Sequence, residues 1–172
     1  MKACGFFGAS GAGKTTLIEA LIRELSARGL RVSYVKHASH GFDIDTPGKD
    51  SFRGRAAGAF ETIVAGPTRL AKVREFGGEV SFTVHQLLDE LVECDWALVE
   101  GFKAADLMRI EVLRPGLEWT PVYPDDPFVA AIVAPSREAL PEPTLREVFA
   151  PDAVGALADY LVAHGDRFER RR

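Results

Sequence analysis

The stretch Gly8-Ala9-Ser10-Gly11-Ala12-Gly13-Lys14-Thr15 fits the pattern G-x-x-x-x-G-K-[ST], and Thr16 follows it. Its surroundings decide the fold class. Residues 3–7, ahead of it, form a short apolar run that reads as a buried strand. Behind it, Leu17, Ile18, Leu21, Ile22 and Leu25 recur at helical spacing until Gly29 supplies a stop. Residues 32–36 then read as a second strand. A strand, a glycine-rich loop, a helix and a strand begin a parallel α/β sheet. Each residue type in the loop has a physical reason. Glycines let backbone N–H groups close around phosphate oxygens, and the helix N-terminus adds partial positive charge. By the same logic Lys14 reaches the β- and γ-phosphates, the Thr15 hydroxyl binds Mg²⁺, and Thr16 serves the α-phosphate side. Gly8, Ser10, Gly11, Ala12 and Gly13 supply the cradle itself.

Outward from the loop, residues 37–47 read as a polar loop and residues 49–59 as a helix with a face of small residues. Residues 62–65 and 69–74 read as strands around Gly66-Pro67. Thr83 with Gln86 makes a capping box for a helix whose apolar face is Val84, Leu87, Leu88 and Leu91. A buried strand over 96–99 ends at Glu100-Gly101. Residues 108–114 alternate apolar and charged side chains, which predicts a strand with one wet face. A Pro-rich irregular segment over 117–126, a buried strand over 129–133 and a last helix from about Asp152 to Gly165 complete the pattern. The expected architecture is a phosphate-loop NTPase of three layers, a mainly parallel sheet flanked by helices. Residues 1–166 read as one domain and 167–172 as a basic, frayed C-terminal tail.

A phosphate loop needs an acidic partner to complete the Mg²⁺ shell, usually an Asp at the end of an apolar strand. Here Trp96-Ala97-Leu98-Val99 ends in Glu100, so Thr15 and Glu100 are the expected metal ligands, the longer Glu reaching through water; a simple pairing of Glu100 with a surface base is the other reading. The loop after the second strand carries His37, His40, Asp43 and Asp45 at the sheet end that faces the ligand crevice. Asp43 and Asp45 are candidates to meet Mg²⁺ or a catalytic water. A solvated loop with Asx turns and a transition-metal site are the other readings of the same residues. Arg53 and Arg55 suit a phosphate, an anionic partner or a solvated helix face.

Composition and absences narrow the classes. A net charge of -4 argues against a dedicated nucleic-acid binder. No apolar run reaches the roughly 18 residues that span a bilayer, and a cleaved leader would remove the loop at Gly8. The expected setting is therefore the cytoplasm, with Cys4 and Cys94 as buried free thiols. The chain has no Asn, so guanine cannot be read by an Asn-Lys-x-Asp motif. Its one Gln, Gln86, sits in a helix, away from any water-orienting position. Ala9 stands where deviant phosphate-loop ATPases carry a second Lys. Any hydrolysis is expected to be slow.

Several runs together resemble the molybdopterin-guanine dinucleotide biosynthesis adaptor proteins, the MobB family. They are the phosphate loop, Val35-Lys36-His37, Phe42-Asp43-Ile44-Asp45-Thr46-Pro47-Gly48-Lys49-Asp50-Ser51, Arg55-Ala56-Ala57-Gly58-Ala59, Thr62-Ile63-Val64-Ala65 and Leu98-Val99-Glu100-Gly101-Phe102-Lys103. The resemblance implies a homodimer that binds GTP with Mg²⁺ and hydrolyses it weakly. It also implies a partner, the guanylyltransferase that joins GMP to molybdopterin, and molybdopterin itself as a further ligand. It carries phosphate and metal contacts onto Gly11, Gly13, Lys14, Thr15 and Thr16, and sets Glu100, Asp43 and Asp45 near the Mg²⁺ and γ-phosphate. The guanine pocket is expected near Ala134-Pro135-Ser136, with Glu138 as a candidate reader. The competing reading is a small-molecule kinase or ATP-dependent ligase on the same fold, with Asp43 as base and Arg53 or Arg55 as phosphate clamp.

Overall fold

The computed structural model describes residues 1–38 and 41–170. In chain order the elements are β1 (Lys2–Phe7), α1 (Lys14–Ala27), β2 (Val32–Lys36), α2 (Asp50–Ala56), β3 (Glu61–Ala65), β4 (Leu70–Arg74), α3 (Val84–Asp89), β5 (Trp96–Glu100), β6 (Arg109–Val112), β7 (Val129–Val133), β8 (Glu147–Phe149) and α4 (Val154–Ala163). They form two compact units: Met1–His37 with Thr83–Arg172, and Ala38–Phe82.

The first unit is a six-stranded sheet in the order β2-β5-β1-β6-β7-β8, with every pairing parallel. Both faces are covered, so the strands read as continuous apolar runs. β5 shows the logic. Trp96 and Leu98 face the cluster built with Leu17, Ile18, Leu21 and Leu25 of α1 and Leu157 and Leu161 of α4. Ala97 and Val99 face the opposite cluster with Val84 and Leu88 of α3. α3 begins with the predicted capping box, Thr83 and Gln86 holding each other's N–H groups. The period of two continues past Leu98 to Glu100, which is therefore delivered to the α1 side of the sheet.

The strand predicted over 108–114 exists, but its wet face does not. All four residues of β6 are buried, because β6 lies between β1 and β7 and the segment after it folds back over the sheet. Burying the two charges is tolerable only when they are paired. Arg109 bonds Asp126 and the carbonyls of Lys103 and Ala105. Glu111, 0% exposed, accepts bonds from Trp119 Nε1 at 2.7 Å, Val122 N at 3.0 Å and Tyr123 N at 2.8 Å. The Pro-rich segment is irregular as predicted, yet it is the lid of a core that includes Phe7, Tyr123, Val129 and Ile132.

Two further differences concern the C-terminal third. β8, parallel to β7, has three residues, too few for a periodic signal. The chain end was expected to fray. Instead Gly165–Phe168 forms a 3-10 turn, Phe168 is buried beside Trp96 at 5.6 Å between ring centroids, and Arg170 pairs with Asp89. Arg171 and Arg172 lie outside the described residues.

The second unit holds α2 and the antiparallel hairpin β3-β4. α2 ends at Ala56, short of the predicted Ala59, because the backbone turns there: Gly58 N bonds Arg55 O and Ala59 N bonds Gly54 O. None of the unit's described residues is buried.

Candidate functional site

The phosphate loop joins β1 to α1 at the C-terminal edge of the sheet. Gly8 has φ 143, and a Cβ there would stand 2.2 Å from the Val112 carbonyl oxygen. Only glycine can leave the sheet so close to β6. Gly13, φ 96, precedes α1 and offers no side chain to its N–H groups; no acidic residue sits in the first turn. The first N–H groups of a 14-residue helix are thus uncapped, and the helix dipole points the same way, which is an anion site. Lys14 Nζ lies over the loop, 2.7 Å from Ala9 O and 3.1 Å from Gly8 O. Burial lowers its pKa below the usual lysine range; Glu100 works against that shift and Lys36 adds to it.

The carboxylate of Glu100, at the end of β5, meets the first turn of α1. Thr15 Oγ1 lies 3.0 Å from both of its oxygens. β2 supplies two more contacts, Tyr34 Oη at 2.6 Å from Oε2 and Lys36 Nζ at 3.6 Å from Oε1. Burial and the bond to Glu100 push the Tyr34 phenol well above its usual pKa. A hydroxyl and a carboxylate, both hard oxygen donors at a phosphate cradle, fit Mg²⁺. The turn beyond Glu100 holds Phe102 at φ 53, the one non-glycine with positive φ among the described residues. Backbone strain of this kind clusters at functional sites.

Asp43 and Asp45 stand in the second unit, tied to Arg55 at 3.0 and 3.1 Å, with Glu75 as its third partner at 2.5 Å. Asp43 is held below its usual pKa by the Asp45 N–H first and Arg55 second. For Asp45, burial is the largest influence and acts upward; the Thr46 N–H, the Ser51 hydroxyl and Arg55 together outweigh it. Arg53 pairs with Asp50 at 3.8 Å on an exposed face. His40, part of the expected loop, lies outside the described residues. Among those described, no group of three or more His, Cys, Asp or Glu is placed to hold a metal, and no helix is long and apolar enough to cross a membrane.

Beside Ala9 a cavity of about 200 Å³ opens between Leu113, Leu117, Trp119, Ala134 and Pro135. That is less than the ~300–1,000 Å³ of a whole drug-sized site and suits one ring system of a larger ligand. Glu138 does not line it and instead takes a hydrogen bond from the Ser136 side chain. A larger cavity, about 860 Å³, lies among Lys2, Arg31 and Asp95 at the opposite edge of the sheet; ligands of open α/β sheets bind at the carboxyl edge. Sequence reasoning missed Arg114, whose Nη1 donates to Gly11 O at 3.2 Å, and Tyr34, which carried only a strand pattern. No local motif marks either, because each meets a partner far away in sequence: Arg114 meets Gly11 of the loop and Tyr34 meets Glu100.

The sheet, the loop and the carboxylate at the end of β5 define an α/β protein of the phosphate-loop NTPase type. The chain belongs to the MobB family: the family described as molybdopterin guanine dinucleotide synthesis protein B matches residues 3–135. It is 43% identical over 109 residues to the molybdopterin-guanine dinucleotide biosynthesis adapter protein of Escherichia coli K12, a match spanning 62% of each chain. It is 40% identical over 129 residues to the adapter of that name from Haemophilus influenzae, spanning 74% of this chain and 71% of the relative. The match to the first thus covers less than two thirds of that protein. The crystal structure of Bacillus subtilis MobB superposes with a TM-score of 0.72 at 25% identity, covering 99% of this chain and 100% of that one.

Proposed function

We propose that this chain is a GTP-binding adaptor that holds its nucleotide with Mg²⁺ and assists the enzyme joining GMP to molybdopterin. The observation that carries the nucleotide part is the Thr15–Glu100 contact at 3.0 Å, set against an uncapped helix N-terminus and Lys14. The family membership and the adapter relatives carry the rest. Lys14 and the loop N–H groups bind the phosphates, Thr15 and Glu100 hold the metal, and the cavity beside Ala9 takes the base. Bound Mg²⁺ supplies charge neutralisation between the phosphates. Hydrolysis is slow in this reading, because Ala9 offers no second lysine and the chain has no Gln outside α3 to orient water.

The kinase reading fares less well. It needs Asp43 as a base and Arg53 or Arg55 as a clamp; Asp43 and Arg55 are bonded to each other, and Arg53 pairs with Asp50.

A homodimer completes the proposal. The second unit leaves Phe60, Ile63 and Leu70 each more than half exposed, and a unit of this size without a buried core needs a partner surface. A second copy of the chain, meeting it at the hairpin, is that partner. Ile63→Lys would then shift the sedimentation of a dimer to that of a monomer; a native protein that sediments as a monomer would remove the dimer.

Isothermal titration with GTP, ATP and their diphosphates, with and without Mg²⁺, tests the nucleotide assignment. Tight, Mg²⁺-dependent GTP binding is expected. ATP preference, or a phosphorylated small-molecule product, would overturn it.

A further inference from the structure

We propose that Tyr34 is a positioning residue for Glu100, and that it sets the Mg²⁺ requirement of the nucleotide site. The inference rests on the metal reading of Thr15 and Glu100 given above and goes beyond it, because Tyr34 belongs to no nucleotide-binding motif. Its basis is the pairing of β2 with β5. Lys36 lies opposite Glu100 and Tyr34 opposite Leu98. Side chains two apart on a strand share a face, so Tyr34 and Lys36 flank Glu100 on the side that packs α1. From there Tyr34 Oη donates to Oε2 at 2.6 Å, a distance typical of a charge-assisted O–H···O⁻ bond. The bond fixes the carboxylate, whose side chain is only 11% exposed, in the rotamer that meets Thr15. Lys36 cannot do this job alone. It is half exposed, 3.6 Å from Oε1, and a flexible ammonium imposes little direction. The structure therefore divides the labour: Thr15 and Glu100 hold the metal, and Tyr34 holds Glu100. Partners of this kind behind a metal ligand typically change metal affinity by ten- to a hundredfold when removed.

Tyr34→Phe removes the hydroxyl and keeps the ring. GTP binding is titrated against Mg²⁺ concentration in the native protein, Tyr34→Phe, Glu100→Gln and the double variant, with thermal unfolding as the check on folding. The Mg²⁺ midpoint of Tyr34→Phe is expected to rise about tenfold, while GTP affinity in EDTA stays at the native value. In the Glu100→Gln background the same change is expected to shift nothing further, since the hydroxyl acts through Glu100. A general loss of packing would instead weaken both Mg²⁺-dependent and EDTA binding, and that result overturns the proposal. So does a native midpoint in Tyr34→Phe, or equal shifts in both backgrounds. If the native protein shows no Mg²⁺-dependent GTP binding at all, the metal reading itself has failed and the proposal with it. A native midpoint that exists but ignores Tyr34→Phe sinks the proposal alone.

Discussion

Glu111→Gln is expected to destabilise the protein by about 2–5 kcal/mol and to loosen the wall of the cavity beside Ala9. Glu111 is fully buried, and its two oxygens serve three donors. Oε1 takes Trp119 Nε1 at 2.7 Å and Val122 N at 3.0 Å; Oε2 takes Tyr123 N at 2.8 Å. Glutamine keeps one oxygen. Oriented toward Trp119 and Val122, its amide NH₂ faces the Tyr123 N–H, donor against donor. One buried N–H then loses its partner, at about 1–3 kcal/mol, and the two remaining bonds lose their charge assistance, at roughly 0.5–1 kcal/mol each. Glu111→Ala strips all three donors and should cost about 3–5 kcal/mol, since the irregular segment can relax toward water. Urea unfolding followed by far-UV circular dichroism measures the loss. Tryptophan fluorescence reports the local event, because Trp119 bonds Glu111 directly and lines the cavity beside Ala9, whereas Trp96, fully buried, stacks near Phe168. A Glu111→Gln variant within 0.5 kcal/mol of native, with unchanged fluorescence, would refute the reasoning that this carboxylate holds the segment.

Lys14→Ala should weaken GTP binding by more than about a hundredfold, since charge-assisted phosphate contacts are lost in a partly buried site; undiminished affinity in calorimetry would withdraw the loop assignment. Gly8→Ala should cost at least about 2–3 kcal/mol in urea unfolding, because a Cβ at φ 143 meets the Val112 carbonyl at 2.2 Å; a native midpoint would contradict the close approach. Asp43 and Asp45 are held below the usual carboxylate range, so their contribution to order in the second unit is present above pH ~4 and lost as pH falls through their lowered values. Protection against hydrogen exchange in the segment around Arg55, measured relative to the intrinsic rate at each pH, should fall on acidification below that point. In Arg55→Met exchange should be faster at neutral pH and less sensitive to acid, and an identical acid response in the two proteins would discount the ion pair.

Much of the fold was legible because its signals are local. Val129–Val133, Trp96–Glu100 and Lys2–Phe7 announce buried parallel strands by unbroken apolar runs, and Thr83 with Gln86 announces a helix start. β6 misled because alternation of Arg109, Ile110, Glu111 and Val112 ordinarily marks a face in water. Whether a charged face is wet depends on what later chain covers it, and Asp126, Trp119 and Tyr123 come 8 to 17 residues afterwards. β8 and the docked Phe168 were silent for a related reason: three residues and a single aromatic carry no period.

The sequence by itself determined the glycine-rich loop between β1 and α1 and the phosphate reading proposed for it. A nine-residue run of glycines, Lys14, Thr15 and Thr16 between a strand and a helix has its chemistry written in backbone freedom and residue type, both local properties. It also pointed to Glu100 as the carboxylate beside the loop, since Glu100 ends an apolar strand, and in the structure Glu100 meets Thr15. Only the tertiary structure decided what surrounds that carboxylate. Tyr34, Lys36 and Thr15 lie 66, 64 and 85 residues from Glu100 and converge on it because β2 and α1 pack against β5 in one register. Sequence spacing carries no such information, since contacts across a parallel sheet are set by which strands become neighbours.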